Sequence, residues 1–215
     1  MQDKLKALSE KDPILGKFIE IIGELELGKR ENYFRSLVSS IVGQQLSAKA
    51  AATIFGRFAQ LTKGDITPVK VLSLSDEELR GIGISFSKIK YIKDLSQKVL
   101  NKEVDLEILD ELTNEEVIAA LTSVKGIGKW TAEMFLIFSL GRENVLSLLD
   151  VGLQRGAKWL YDTKDEEKIL EMKGANWDPY HSIASLYLWE AVNRDLVITY
   201  NSFNEYVQNL GTQNE

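Results

Sequence analysis

The chain has 215 residues, of which 44% are apolar and 27% charged, so it is long enough to bury a core and lacks the composition of a disordered chain. Cysteine is absent and His181 is the only histidine, which excludes disulfides, cysteine nucleophiles, iron–sulfur clusters and histidine-rich metal sites. The net charge of −6 argues against an indiscriminate nucleic-acid binder.

Helix start signals recur along the chain. Each of the three prolines follows a residue that can cap a helix, in Asp12-Pro13, Thr67-Pro68 and Asp178-Pro179. We therefore predict a helix start at each proline, with Asp178 as an N-cap. Two capping boxes also stand out, Ser75-x-x-Glu78 and Thr113-x-x-Glu116. Because convincing strand alternation is missing, we predict an all-α protein of about ten helices.

Charge is unevenly distributed. Residues 79–102 hold six basic residues and one acidic residue, a net charge of +5, whereas residues 161–215 carry a net charge of −6. A polyanion that meets the middle of the chain would explain this pattern. The alternative is that Lys88–Lys102 forms the solvated face of an amphipathic helix.

The most informative segment is a tight turn between two predicted helices. One helix ends near Thr122 and the next begins near Lys129, and the turn between them contains Gly126 and Gly128. Free backbone amides at a helix start suit a phosphate group. The turn is not a nucleotide P-loop, because Ser123 stands where the first glycine belongs. A merely structural turn remains the alternative.

Asp150 is the carboxylate that we single out. It interrupts the apolar run Val145–Leu149 and precedes the predicted helix Val151–Leu160. The structural interpretation is a helix N-cap. The functional interpretation is compatible with it, because a helix N-terminus stabilises an ionised carboxylate that can act on a cationic sugar.

The order of these motifs resembles the helix-hairpin-helix DNA glycosylases, and among them the 3-methyladenine DNA glycosylase II group, the AlkA-like enzymes. The segments that carry the resemblance are Ile41–Ser47, Lys125–Met134, Leu140-Gly141-Arg142, Asp150–Leu153, Trp177–Ser182 and Tyr187-Leu188-Trp189. Together they span roughly residues 30–195. We expect no counterpart of the amino-terminal β domain that longer members have.

The resemblance implies a two-lobed, all-α helix-hairpin-helix fold. We expect residues 31–140 to form one lobe that contains the hairpin, and residues 1–30 with 141–215 to form the second. We expect the cleft between the lobes to hold Asp150, Trp130 and Trp177.

The resemblance also implies an activity. Asp150 follows Trp130 by 20 residues, the spacing at which the family carries its catalytic aspartate. Strand-cutting members have a lysine at the position of Trp130, so we expect a monofunctional glycosylase that uses water. The expected substrates are alkylated bases, chiefly 3-methyladenine and 7-methylguanine, in double-stranded DNA. The alternatives are a glycosylase for oxidised or deaminated bases, a non-catalytic DNA-binding module and a strand-cutting lyase.

The family pattern assigns roles to further residues. Trp130, Trp177, Met134 and Tyr180 are the candidates for a base pocket, with core packing as the alternative for each aromatic ring. We expect Tyr187 and Trp189 to pack in the core and His181 to have a structural role.

A second group of residues is expected to meet the DNA duplex. Gln44, Gln45 and Leu46 are expected to enter the minor groove, with Leu46 as the wedge. The alternative is that Leu46 packs inward as a hydrophobic staple. The backbone amides of Gly126, Gly128 and Lys129 are expected to grip a phosphate, and Lys88 and Lys90 to add weaker contacts.

The chemistry is expected to need no cofactor. A structural Na⁺ or K⁺ on the main-chain carbonyls of Thr122, Val124 and Ile127 is implied by the family. We expect a monomer that binds double-stranded DNA and no membrane. An intracellular location is expected, because no apolar secretory segment stands at the start of the sequence: cytoplasmic in a prokaryote, nuclear in a eukaryote.

Overall fold

The computed structural model describes residues 1–163 and 168–212, and this part of the chain forms 14 α-helices and no β-strand. The prediction of an all-α fold is therefore confirmed. The helix count exceeds the expected ten because several helices are very short, with six residues in three of them and four in another. None of the described helices is long and apolar enough to cross a membrane.

The chain divides into two compact units. Lys29–Gly141 forms the first, which we call the hairpin unit, and Met1–Gly28 with Arg142–Glu215 forms the second, which we call the terminal unit.

The helices follow one another in chain order across the two units. The terminal unit begins with α1 (Gln2–Lys11) and α2 (Pro13–Ile22). The hairpin unit contains α3 (Tyr33–Gly43), α4 (Ala48–Leu61), α5 (Pro68–Ser73), α6 (Asp76–Gly81), α7 (Phe86–Leu100), α8 (Asn114–Thr122) and α9 (Lys129–Phe138). The terminal unit continues with α10 (Val151–Tyr161), α11 (Ile169–Gly174), α12 (His181–Asn193), α13 (Leu196–Thr199) and α14 (Phe203–Thr212).

Local sequence sets most of the helix starts. Both capping boxes form as predicted, in front of α6 and α8. Pro13 and Pro68 are the first residues of α2 and α5, as predicted. The expected helix also follows the third proline, as α12, but it begins at His181 with no side-chain cap, so the assignment of Asp178 as its N-cap is wrong. Asp178 lies too far ahead of α12 to cap it, and its carboxylate accepts a hydrogen bond from the Asn144 side chain instead, at 2.9 Å.

The hairpin unit is built around α3 and α7. α3 packs against α4, α7 and α9, while α5 packs on α7 and α8 packs on α9. The buried side chains of α3 recur at helical spacing: Phe34, Leu37, Val38, Ile41 and Val42. Burial ends at Val42, and the loop that follows α3 is exposed at residues 45–47.

In the terminal unit, Asp12 joins segments that are distant in sequence. Its carboxylate caps α2 by accepting from the Leu15 amide (3.1 Å), and it also accepts from the Tyr161 hydroxyl (2.6 Å) and the Trp177 indole N–H (3.1 Å). Burial, and then the neighbouring Asp12 carboxylate, raise the pKa of Tyr161 above its usual range, so the phenol stays protonated and donates. Asp12 itself is almost completely buried.

Replacing Asp12 with alanine is expected to lower the free energy of unfolding by about 3 kcal/mol, since three buried donors lose their acceptor. Urea denaturation measures this change. Asp3→Ala, at an exposed position of α1, is the matched control and should change stability by less than about 0.5 kcal/mol. Equal effects of the two substitutions would contradict the role given to Asp12.

Candidate functional site

The turn between α8 and α9 is fixed by two of its own buried side chains and by an aromatic ring of α7. Val124 and Ile127 are buried and anchor it to the core. Gly126 has a φ of +81°, and a Cβ atom there would lie 2.1 Å from Cδ2 of Tyr91 on α7. This position therefore requires glycine for its backbone conformation and for the close approach of an aromatic ring.

Gly128 has a different reason to be glycine. It is the N-cap of α9, has an ordinary φ of −92°, and supplies no side chain to cap the helix. A Cβ atom at Gly128 would meet no atom within 4 Å in the described part of the chain. Lys129 follows it with an exposed side chain that lies 3.8 Å from Glu133. The turn thus presents an uncapped helix start beside a cation, on an open surface.

The loop after α3 lies against this turn. The side-chain amide of Gln44 donates to the Gly126 carbonyl at 2.7 Å. Gln45 has a φ of +57°, a left-handed conformation that is costly for a residue other than glycine. Leu46 is 39% exposed, which favours an outward role over the inward packing that the sequence left open.

Several predicted residues line one groove in the hairpin unit. Its volume is about 600 Å³. The residues lining it include Gln44, Gln45, Leu46, Gly126 and Trp130. Trp130 is 49% exposed, so its ring is accessible from the groove. The structure therefore brings together residues that the sequence placed in three separate roles.

Met134 lines a second, smaller cavity in the same unit. This cavity has a volume of about 230 Å³. Its wall consists of apolar side chains and hydroxyl groups with one cation: Arg30, Ser36, Ser39, Ser40, Thr131, Met134, Phe135, Phe138 and Ser139. Thr131 lines both the cavity and the groove. Trp130 lines the groove but not the cavity.

Asp150 lies in the terminal unit as the N-cap of α10. Its Oδ1 atom accepts from the Leu153 amide at 2.7 Å and from the Trp189 indole N–H at 3.0 Å. The residue is 6% exposed. A Cβ atom at Gly152 would lie 3.0 Å from this same Oδ1 atom. Two donors therefore hold the carboxylate at the start of the helix in a closely packed position.

The loop before Asp150 is held at several points. The Ser182 hydroxyl donates to the Val145 carbonyl at 3.2 Å, and the Gln154 side chain donates to the Leu148 carbonyl at 2.8 Å. Leu149 and Val151, which flank Asp150, are 78% and 66% exposed. The carboxylate thus lies in a fixed loop between two exposed apolar side chains.

Trp177 does not belong to a base pocket. Its side chain is completely buried in the core of the terminal unit, and its indole N–H is bonded to Asp12. No surface of the ring is available to a ligand. The alternative of core packing is therefore correct for Trp177. Tyr180 is partly buried and packs against the same core. His181 has a structural environment, since its ring nitrogens contact Asn144 and the Gly174 carbonyl.

The basic segment is not a free cationic surface. Lys93 pairs with Asp76, Lys98 with Glu103, and Lys102 with Asp105 and Glu107. Lys88 donates instead to two backbone carbonyls. These contacts favour the solvated, internally paired helix face over a broad binding patch.

The carbonyl groups of the hairpin turn are suited to a monovalent cation. The Val124 carbonyl accepts one hydrogen bond, from the Ile127 amide at 3.1 Å. Among the backbone–backbone hydrogen bonds of turns and loops in residues 1–163 and 168–212, none ends on the carbonyls of Thr122 or Ile127. Hard cations bind such main-chain oxygen atoms, so the turn has acceptors to offer.

Two residues next to the predicted site were missed from the sequence. Trp189 packs against the core, as expected, and its indole N–H also donates to Asp150, which was not expected. Tyr91 was assigned no role, yet it packs on Gly126. The sequence offers one signal only, because Tyr91 falls on the same face of a helix as Lys88 and Asp94 at i, i+3 spacing.

The geometry and the comparisons define the class of this protein. The model of the HhH-GPD superfamily of base excision DNA repair proteins matches residues 38–180, and the chain belongs to that superfamily. The chain is 47% identical to DNA-3-methyladenine glycosidase from Bacillus halodurans, whose crystal structure superposes with a TM-score of 0.87 over 95% of each chain.

Two further comparisons point to the same group. DNA-3-methyladenine glycosylase 1 of Schizosaccharomyces pombe is 32% identical over 192 residues, which cover 85% of this chain and 84% of that protein. The structure of a fission yeast 3-methyladenine DNA glycosylase in complex with abasic DNA has a TM-score of 0.80 at 29% identity, covering 89% of this chain and 97% of that one.

The two glycines of the turn should respond differently to alanine. Gly126→Ala is expected to lower the free energy of unfolding by about 2 kcal/mol or more, because of the positive φ and the contact with Tyr91. Gly128→Ala should lower it by about 1 kcal/mol or less, because a Cβ atom there meets no described atom and only the preference of the N-cap for glycine over alanine is lost. Thermal and urea unfolding of both variants measure this, and equal losses would show that the difference in packing is wrong.

Proposed function

We propose that this protein is a monofunctional DNA glycosylase of base excision repair. It hydrolyses the N-glycosidic bond of alkylated bases, the 3-methyladenine and 7-methylguanine class, in double-stranded DNA. The observation that carries the proposal is the Asp150 carboxylate, held by the Leu153 amide and the Trp189 indole at the start of α10. The relatives named above, which share this fold almost from end to end, support the reaction class.

The chemistry follows from the charge of the reacting sugar. An alkylated purine leaves with the bonding electrons, and C1′ of the deoxyribose becomes cationic as the bond lengthens. A fixed carboxylate stabilises that cation better than mobile water does, because it needs no reorganisation. Water then adds its oxygen to C1′ and loses a proton, which Asp150 accepts and passes to solvent. The products are the free base and an abasic site.

The residue at position 130 supports hydrolysis over strand cutting. A lyase needs an amine at the reacting carbon, and Trp130 has none. Lys129 is the nearest amine in sequence, and it lies 3.8 Å from Glu133 at the exposed start of α9. We assign Lys129 to phosphate binding together with the open backbone at Gly128.

Base recognition is proposed for the α3–α9 side of the hairpin unit. An extruded base needs a cavity that accepts an aromatic plane and offers a few polar groups. The 230 Å³ cavity that Met134 lines has both apolar walls and hydroxyls, among them those of Ser36 and Thr131. Trp130 lines the groove that shares Thr131 with this cavity, and its exposed face offers an electron-rich surface that attracts a cationic base.

DNA is proposed to be gripped by two turns. The amides of Gly126, Gly128 and Lys129 bind a phosphate, while Leu46 enters the minor groove and Gln45 reads the exposed bases. A Na⁺ or K⁺ on the carbonyls of Thr122, Val124 and Ile127 would add positive charge next to that phosphate. The protein acts where the genome is, in the cytoplasm of a prokaryote or the nucleus of a eukaryote.

Asp150→Asn is expected to lower single-turnover release of free bases from methylated duplex DNA by at least about a hundredfold, because the amide carries no charge to stabilise the sugar cation. Affinity for a duplex with an abasic-site analogue should stay the same or rise. Asp162→Asn, at the opposite end of α10, is the control for loss of one negative charge and should leave the rate unchanged.

Three measurements distinguish this function from the alternatives. Full activity of Asp150→Asn would remove this carboxylate from the mechanism. Preferred release of an oxidised or deaminated base, in competition among lesion duplexes, would overturn the alkylation assignment. A covalent complex trapped with borohydride would identify a strand-cutting enzyme.

Trp189→Phe is expected to lower kcat by about 10- to 100-fold, since one hydrogen bond to a charged group contributes about 1.5–3 kcal/mol. Affinity for the abasic duplex should not change. Tyr187→Phe, on the same helix, is the control, because its hydroxyl donates to the Gly23 carbonyl and should affect only stability. An unchanged kcat in Trp189→Phe would mean that the indole does not orient Asp150.

A further inference from the structure

Lys88 has an unusual place for a lysine in a basic segment. Its ammonium group donates to the carbonyls of Val42 (2.8 Å) and Gln44 (2.6 Å), which lie at and just beyond the end of α3. A cation at a helix C-terminus is stabilised by the carbonyls and by the helix dipole. The side chain is partly buried, and this burial lowers the pKa of the Lys88 ammonium. The ammonium group is therefore bound to backbone carbonyls at the wall of the groove.

Two other side chains on the same face of α7 hold the hairpin turn. Tyr91 packs on Gly126, and the Asp94 carboxylate accepts from the Lys125 amide at 2.9 Å. Lys88, Tyr91 and Asp94 are spaced three residues apart, so they form one stripe along the helix. The N-terminal end of this stripe contacts the loop after α3, and the rest contacts the turn between α8 and α9.

A direct contact closes the arrangement. The Gln44 side-chain amide donates to the Gly126 carbonyl, and the backbone carbonyl of Gln44 accepts from Lys88. The loop and the turn are therefore joined to each other and to the same face of one helix. All of these residues belong to the hairpin unit.

We propose that Lys88 is a positioning residue, which holds the Gln44–Leu46 loop in register with the hairpin turn through Gln44, so that both meet DNA as one preformed surface. This inference rests on the proposed function, since it assigns the DNA contacts to these two turns. Lys88 acts through its carbonyl partners and not through a phosphate. Preorganisation of this kind strengthens binding because the loop need not be ordered when the complex forms.

Salt dependence distinguishes positioning from phosphate contact. Each phosphate contact that is lost reduces the slope of log K against log salt by about 0.9 for duplex DNA. We expect Lys88→Met to weaken binding of an abasic-analogue duplex about tenfold with an unchanged slope. Lys129→Met, the comparison variant, should weaken binding and reduce the slope by about 0.9. A reduced slope for Lys88→Met, or unchanged affinity, would overturn the proposal.

Hydrogen exchange and coupling test the linkage itself. In Lys88→Met, faster exchange is expected at the Leu46 amide, bonded to Gly43, and at the Ile127 amide, bonded to Val124. Gln44→Leu added to Lys88→Met should weaken binding no further, because both residues act through one connection. Fully additive losses would contradict this. Lys88→Arg, which can still donate to both carbonyls, should recover most of the affinity.

A second variant and a binding assay that is independent of base release complete the experiment. If Lys88→Met does not fold, Gln44→Leu alone should weaken binding at an unchanged slope and speed exchange at Ile127, and the absence of both effects would reject the linkage. The binding assay needs no base release. A wild type that releases no base would reject the proposed function, while the Lys88 result would still decide the positioning role for DNA binding.

Discussion

A carboxylate that is almost removed from water is stable only where hydrogen-bond donors replace that water. Asp150 meets this condition through the Leu153 amide and the Trp189 indole, both on Oδ1. These two bonds also fix the direction of the carboxylate. The site is thus a helix N-cap that also accepts from the Trp189 indole, and its rigidity follows from the loop that Ser182 and Gln154 hold.

The acidic balance of the chain is compatible with binding a polyanion. The lysines of residues 79–102 are largely occupied by partners inside the hairpin unit, so they do not create a broad attractive field. The turn at Gly128 offers oriented backbone amides in place of net charge. Such a contact depends on shape more than on the number of cations. A weak general attraction to DNA would leave the structure of the duplex as the main determinant of where the protein binds.

Signals contained in a few neighbouring residues predicted the fold well. The capping boxes at Ser75 and Thr113 formed as expected, and the Gly-x-Gly turn between two helices lies where the pattern put it. These predictions depend only on backbone amides and side chains within one turn of helix. They do not require knowledge of which segments meet in space.

The fates of single aromatic side chains were not predictable in this way. The buried Trp177 indole donates to Asp12, which lies 165 residues earlier in the sequence. The Trp189 indole donates to Asp150, which lies 39 residues earlier. A tryptophan in a helical sequence has the same local signature in a core and in a site. Only the partner of its N–H group separates the two, and that partner is set by tertiary packing.

Gly152 shows how such a site constrains change in the chain. A Cβ atom there would approach Oδ1 of Asp150 at 3.0 Å and Cδ1 of Trp189 at 3.2 Å. Any larger residue must shift the acid, its donor, or both by a few tenths of an ångström. The position of the carboxylate therefore depends on a residue that has no functional group of its own.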